Sequence, residues 1–194
     1  MKLIVGLGNP GPRYSRTRHN AGRLLAEFIG AHHKASFKFE KKLQSSVASI
    51  SFDAVEVKVA YSETFMNVSG PSVLQLVRHF DIDLAKDLLI AVDDVALPFG
   101  KLRLRGQGSD GGHNGLTSIQ EALGSAQYAR LRIGMGPAKE EAVPLSELRL
   151  QEYVLLSMEA AETKALPEIL ERGMHAVKLW ATDSIERAMN VVNA

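Results

Sequence analysis

Apolar positions in this chain fall into short runs and helical faces that alternate along its length. Lys2–Gly6 reads as a buried strand. A turn-rich stretch follows to Arg18, and then Asn20–His32 carries Leu24, Leu25, Phe28 and Ile29 at helical spacing. Val47–Ile50 and Val55–Tyr61 read as strands. Ser69-Gly70-Pro71 opens a helix to about Phe80, with Pro71 in the first turn, where its missing N–H costs nothing. Leu88–Val92 is wholly apolar, as a central strand demands. Lys101–Leu104 alternates, Leu116–Leu123 predicts a short helix and Ala129–Ile133 another strand. Ala138–Leu150 has no clear period and is expected to be a mobile loop. Leu166, Leu170, Met174, Val177 and Ala181 share one helical face, and Ile185, Met189 and Val192 mark a last amphipathic helix.

Strands alternating with helices predict the α/β class: a mixed, mostly parallel sheet with helices on both sides. In such sheets a ligand site forms outside the carboxyl ends of the strands. Asn9, the Tyr61–Asn67 segment, Asp93 and the Gly106–Asn114 loop each follow a predicted strand, so they should converge.

Composition narrows the class. At 194 residues and 45% hydrophobic, the chain suits one domain spanning residues 1–194 with a substantial core. No apolar run approaches the ~20 residues needed to span a bilayer, and Leu3–Leu7 is too short for a signal peptide. With no cysteine, disulfides, thiolate catalysis and thiolate metal sites are all excluded, which suits a reducing cytoplasm. The net charge of +1 conceals a polarity. Met1–Ser45 holds nine Lys/Arg against two Glu, net +7, and Lys139–Glu171 holds three against eight, net −5. A basic first quarter suggests a face for a polyanion, although a solvated surface with uneven lysines gives the same pattern.

Gly6-x-Gly8-x-x-Gly11 matches the dinucleotide fingerprint letter for letter, but not its mechanism. That mechanism needs a helix opening at the loop, with amides facing a pyrophosphate. Here Pro10 and Pro12 remove two amides, the helix is predicted to start only near Asn20, and Glu27 falls inside it. The glycines therefore shape a turn, and Asn9 at the tip of the strand points into the expected cleft.

His19 stands just before the first predicted helix. Asp93 closes the run Leu88–Val92, where a carboxylate is costly unless it has a partner. A His–Asp pair holds the imidazole in one tautomer and leaves its other nitrogen to accept a proton. Asp94 should point the other way along the strand. With no cysteine and no serine in a G-x-S-x-G elbow, the simplest nucleophile is water. His19 as base and Asp93 as its orienter then suit hydrolysis of an activated carbonyl such as an ester, with Asn67, Asn114 and loop amides as oxyanion donors. Asp93, Asp94, Asp110 and His113 are metal-ligating types, but no H-E-x-x-H or Cys/His spacing accompanies them, and no metal is expected. Asn9, Asn67 and Asn114 lie in loops that strands lead into, and a carboxamide offers the donor and acceptor that gripping a peptide backbone demands. Tyr14 and Phe65 flank the same region and suit stacking on a nucleic-acid terminus. Arg103 and Arg105, two apart, share one face and with Arg132 form a candidate phosphate clamp.

Several stretches carry a more specific message. They are Gly6-Leu7-Gly8-Asn9-Pro10-Gly11 with Tyr14 and Thr17-Arg18-His19-Asn20-Ala21-Gly22; Thr64-Phe65-Met66-Asn67-Val68-Ser69-Gly70; Asp93 with Leu97-Pro98-Phe99-Gly100; Gly111-Gly112-His113-Asn114-Gly115-Leu116; and Arg130-Leu131-Arg132-Ile133-Gly134. In this order, over nearly the whole chain, they resemble the bacterial-type peptidyl-tRNA hydrolases. The resemblance implies an enzyme that cleaves the ester between a peptide and the 3′ ribose of tRNA, recycling tRNA after premature release from the ribosome. It implies that His19 is the base, that Asp93 keeps it in its proton-accepting form, and that Asn9 helps tell N-blocked from free aminoacyl-tRNA. Tyr14, Phe65, Asn67, His113 and Asn114 match substrate-binding positions, and Met66 a position lining the cleft. The family fold is a single α/β/α globule, monomeric and without a cofactor, whose partner is the acceptor stem and 3′ end of peptidyl-tRNA.

Tyr61-Ser62-Glu63 departs from the basic residue and proline of many relatives, Val92 stands where some have His, and Ser109-Asp110 replaces a Gly-His found in some. Asp110 puts a negative charge near the path of a polyanion. A binding module of the same fold, holding RNA without cleaving it, is the alternative, as the resemblance implies for a chloroplast splicing factor of this family.

Overall fold

Lys2–Gly6 forms β1, the centre of a seven-stranded sheet in this computed structural model, which describes residues 1–137 and 147–194. The other strands are β2 (Lys38–Glu40), β3 (Ser45–Phe52), β4 (Val55–Ser62), β5 (Leu88–Pro98), β6 (Leu102–Arg105) and β7 (Ala129–Gly136), in the spatial order β2-β3-β4-β1-β5-β7-β6. The inner strands β4, β1, β5 and β7 run parallel. β2, β3 and β6 are antiparallel at the two margins. The fold is therefore the mixed α/β class expected.

Both faces of the sheet are covered. Leu3 and Val5 of β1 pack with Ile90 and Val92 of β5 under α2 (Ser69–His79) and α4 (Asn114–Leu123). Ile4, between them, faces the other way with Val59, Leu89 and Leu131, under α1 (Ala21–His32) and α6 (Ala160–Thr182). Successive residues serving opposite cores explain why β1 and β5 read as unbroken apolar runs. The short α3 (Leu84–Asp87) leads into β5, and α7 (Ile185–Val192) closes the chain beside β6.

One close approach fixes the site. A Cβ on Gly22 of α1 would collide with the Ala91 carbonyl, and a Cβ on Gly6 with the Gly22 carbonyl. The Arg23 amide donates to the Leu7 carbonyl (2.8 Å), and the Leu7 amide to the Ala91 carbonyl (2.9 Å). The start of α1 is thus pressed onto the carboxyl ends of β1 and β5.

Several elements run beyond their expected bounds, and three departures bear on the site or the fold. β5 continues past Val92 to Pro98, with a register shift after Asp94, because β7 goes on pairing with it. β2 is exposed throughout and has no apolar period to betray it. Of the loop expected over Ala138–Leu150, residues 138–146 lie outside the described residues, and Glu147–Leu150 instead begin α5 (Glu147–Leu155). What holds α5 is tertiary: Val154 is buried and Tyr153 lies under the Arg18 guanidinium, 4.2 Å from the ring centroid. No described helix is long and apolar enough to cross a membrane.

Candidate functional site

Asp93 sits at the end of the buried part of β5 and is 2% exposed. Its Oδ1 and Oδ2 lie 2.9 and 3.0 Å from Nδ1 of His19, which stands in the 3-10 turn Arg18–Asn20 just before α1. Nε2 of His113 lies 3.0 Å from Oδ1 on the other side. Burial alone would raise the Asp93 carboxyl, but the electrostatic attraction and hydrogen bonds of the His19 and His113 rings outweigh it and hold the carboxyl well below the usual carboxylate range. Asp93 is therefore ionised, and both ring nitrogens facing it are donors.

The backbone fixes one of these tautomers independently. His113 caps α4: its Nδ1 accepts from the amides of Gly115 (3.1 Å) and Leu116 (3.4 Å). An acceptor at Nδ1 puts the ring proton on Nε2, where it meets Asp93. His19 in turn uses Nδ1–H on Asp93, so its Nε2 is left as the proton acceptor. The two rings lie 4.9 Å apart, tilted by 47°.

The ligand atoms of His19, Asp93 and His113 lie within 4.8 Å of one another, the spacing of a metal site. The capping geometry opposes that use. A metal on His113 Nε2 would require the proton on Nδ1, directly facing two N–H donors.

Asn9 is buried and clamped on three sides. Asn20 accepts from its backbone amide (2.8 Å) and donates to its carbonyl (3.0 Å), while its own Oδ1 accepts from the Met66 amide (2.8 Å). Its Nδ2 has no partner among the described residues and is the end available to a ligand. Met66 is buried in the 3-10 turn Met66–Val68, close enough to α4 that a Cβ on Gly115 would strike its sulfur. Asn67 and Asn114 are exposed next to Met66 and His113, with no side-chain hydrogen bonds among the described residues. Phe65 is 54% exposed and meets Tyr14 edge-on, centroids 6.2 Å apart.

The arginines separate. Arg103 and Arg105 share the exposed face of β6, as their spacing predicts. Arg132 pairs with Asp94 (3.3 Å) and donates to the carbonyls of Ser109 and Asp110, so it is already engaged. Asp94 pairs with Arg132 and makes no bond to His19.

Asn20 and Arg18 were not among the sequence candidates. Arg18 is buried and grips Glu162 of α6 through Nε (2.9 Å) and Nη2 (2.6 Å). Its amide also meets the Leu156 carbonyl (3.4 Å). This pair joins the basic first quarter to the acidic stretch near the carboxyl end. Their sequence signal was membership of the Thr17–Gly22 motif around His19, which assigned neither a role of its own.

Comparisons with known proteins find relatives over nearly the whole chain. A family model described as "Peptidyl-tRNA hydrolase" matches residues 3–194. A protein of that name from Desulfitobacterium hafniense is 42% identical over 193 residues, covering 100% of both chains. Another from Herpetosiphon aurantiacus is 42% identical over 195 residues, covering 100% of this chain and 90% of that one. The crystal structure of peptidyl-tRNA hydrolase from Acinetobacter baumannii superposes with a TM-score of 0.90 at 32% identity, covering 100% of this chain and 95% of that one.

Proposed function

The chain belongs to the peptidyl-tRNA hydrolase family, and from that premise we propose that it hydrolyses the ester joining a peptide, or an N-blocked aminoacyl group, to the 3′ ribose of tRNA. The observation that carries the mechanism is the single acceptor nitrogen left on His19. Water gives a proton to His19 Nε2 as its oxygen bonds to the ester carbonyl carbon. The oxyanion that forms is met by N–H donors, for which Asn9 Nδ2, Asn67 and Asn114 are the groups at hand. As the carbon–oxygen bond to the ribose breaks, Nε2 returns the proton to the departing ribose oxygen. Peptide acid and free tRNA leave, and the imidazole is neutral again. Asp93 stays ionised throughout and stabilises the transient imidazolium.

The remaining candidates bind rather than react. Tyr14 and Phe65 offer aromatic edges to the terminal nucleotide, and Met66 forms an apolar wall behind Asn9. Arg103 and Arg105 attract the acceptor stem, while Arg132, already bonded to Asp94 and to the Ser109 and Asp110 carbonyls, holds the adjoining turn in place. On this reading the protein works as a cytoplasmic monomer, without a cofactor, in the recycling of tRNA.

The test offers N-acetylaminoacyl-tRNA and free aminoacyl-tRNA to the protein, with and without EDTA. Turnover of the blocked substrate only, unaffected by EDTA, is the expected result. Tight binding without turnover would mark a module that holds RNA instead.

A further inference from the structure

Asp110 folds its carboxylate back onto its own turn. Oδ1 accepts from the Gly112 amide (2.9 Å) and Oδ2 from the Thr117 hydroxyl (3.1 Å). That hydroxyl also lies 3.2 Å from the His113 carbonyl oxygen, and the His113 amide donates to the Asp110 carbonyl (3.3 Å). Gly111 and Gly112, at φ of +63° and +75°, let the chain double back between them.

The turn is also gripped from outside. Arg132 Nη2 donates to the Ser109 and Asp110 carbonyls, at 3.0 and 3.1 Å. With its amide oxygen facing them, Gln120 accepts from the Asp110 amide (3.1 Å) and from Nη2 of Arg130 (3.0 Å). Arg130 is 1% exposed, with no carboxylate in salt-bridge range among the described residues, so this anchor is set in the core. The Gly112 amide lowers the Asp110 carboxyl below its ordinary value; burial opposes this, and the Thr117 hydroxyl and the charges of Arg132 and Arg130 add to it.

We propose that Asp110 is a positioning residue for the hydrolysis: by closing the turn from 110 to 117 it holds His113 with Nε2 on Asp93, and through Asp93 it sets His19. Within the turn Asp110 bonds His113 itself through its carbonyl, the neighbouring Gly112 through Oδ1, and Thr117, a partner of the His113 carbonyl, through Oδ2. The inference rests on the hydrolytic reading above. It also gives a structural task to Asp110, whose position resembles one held by His in some members of the family.

Asp110→Ala removes both acceptors. Asp110→Asn keeps an oxygen for the Gly112 amide and offers an N–H to the Thr117 hydroxyl, which can still donate to the His113 carbonyl. The experiment measures kcat and KM on N-acetylaminoacyl-tRNA for the wild type and both variants. Asp110→Ala should lose about tenfold in kcat, the scale of a modest misplacement. KM should not rise, since removing a carboxylate cannot repel a polyanion. Asp110→Asn should stay within about twofold of wild type. A wild-type kcat in Asp110→Ala overturns the proposal, and so does equal damage in Asp110→Asn, which would assign the effect to charge. Should Asp110→Ala fail to fold, Thr117→Val keeps the charge and removes the bridge. It should also lower kcat, and a wild-type value overturns the proposal. A wild type with no turnover overturns the hydrolytic reading and this one with it; wild-type turnover with an unaffected Asp110→Ala overturns this one alone.

Discussion

Asp93 accepts from two imidazoles in a buried pocket, while Arg103 and Arg105 stand on the open face of β6 with no side-chain partner among the described residues. The first region is preorganised because it is buried: an ionised carboxylate there is tolerable only when its hydrogen bonds are made, so folding itself orients both rings. The second is held by nothing but its backbone, and its cations act through a field that salt can screen. On the proposed reading, chemistry belongs in the first region and attraction of a charged ligand in the second. Arg132 has the residue type of the second region but the bonds of the first, since Asp94 and two carbonyls already occupy it.

The largest break in this contrast should come at His19. His19→Ala should lower kcat about a thousandfold, within the range for loss of a general base, and leave tRNA affinity in a filter-binding assay unchanged; near-normal turnover would remove the residue from its role. Asp93→Asn should cost roughly a hundredfold in kcat with a modest change in KM, because it acts on the base rather than on binding. A loss confined to KM would move Asp93 to the binding region. Arg103→Ala and Arg105→Ala should each weaken tRNA binding several-fold and reduce the slope of log affinity against log salt by about one. Arg132→Ala should change that slope least and kcat most of the three, and the reverse pattern would return it to the phosphate clamp.

The smallest effect concerns stability. Because the Asp93 carboxyl is held below its ordinary value, its contribution is complete above the unfolded pKa of about 3.9 and is lost as pH falls through the lower folded value. The difference in urea unfolding free energy between wild type and Asp93→Asn should therefore narrow on acidification below about pH 4. A difference that widens there would contradict an ionised Asp93 stabilised by the two ring N–H groups.

Sheet and helices were legible because β1 and β5 are buried on both faces and α1 and α6 carry long apolar stripes. The pair was legible because Asp93 closes an apolar run, where a carboxylate needs a partner, and His19 stands just before the first helix, within reach of the same strand ends. His113 was legible as a residue of interest, but its bond to Asp93 depends on a helix cap, and a ring nitrogen serving as a cap has no periodicity to reveal it. Asn20 was hidden by adjacency, since its task is to hold the backbone of Asn9 eleven positions away. The start of α5 was read as loop because what holds it, the Arg18 guanidinium stacked on Tyr153, is supplied by a distant part of the chain.

The central claim is that His19 is clamped through Nδ1 and bare at Nε2. Ring-nitrogen NMR of the wild type, labelled with 15N at histidine and recorded at a pH where the enzyme turns over, reads this directly. The account predicts a proton on Nδ1 of His19 and none on Nε2; a proton found on Nε2 would contradict it.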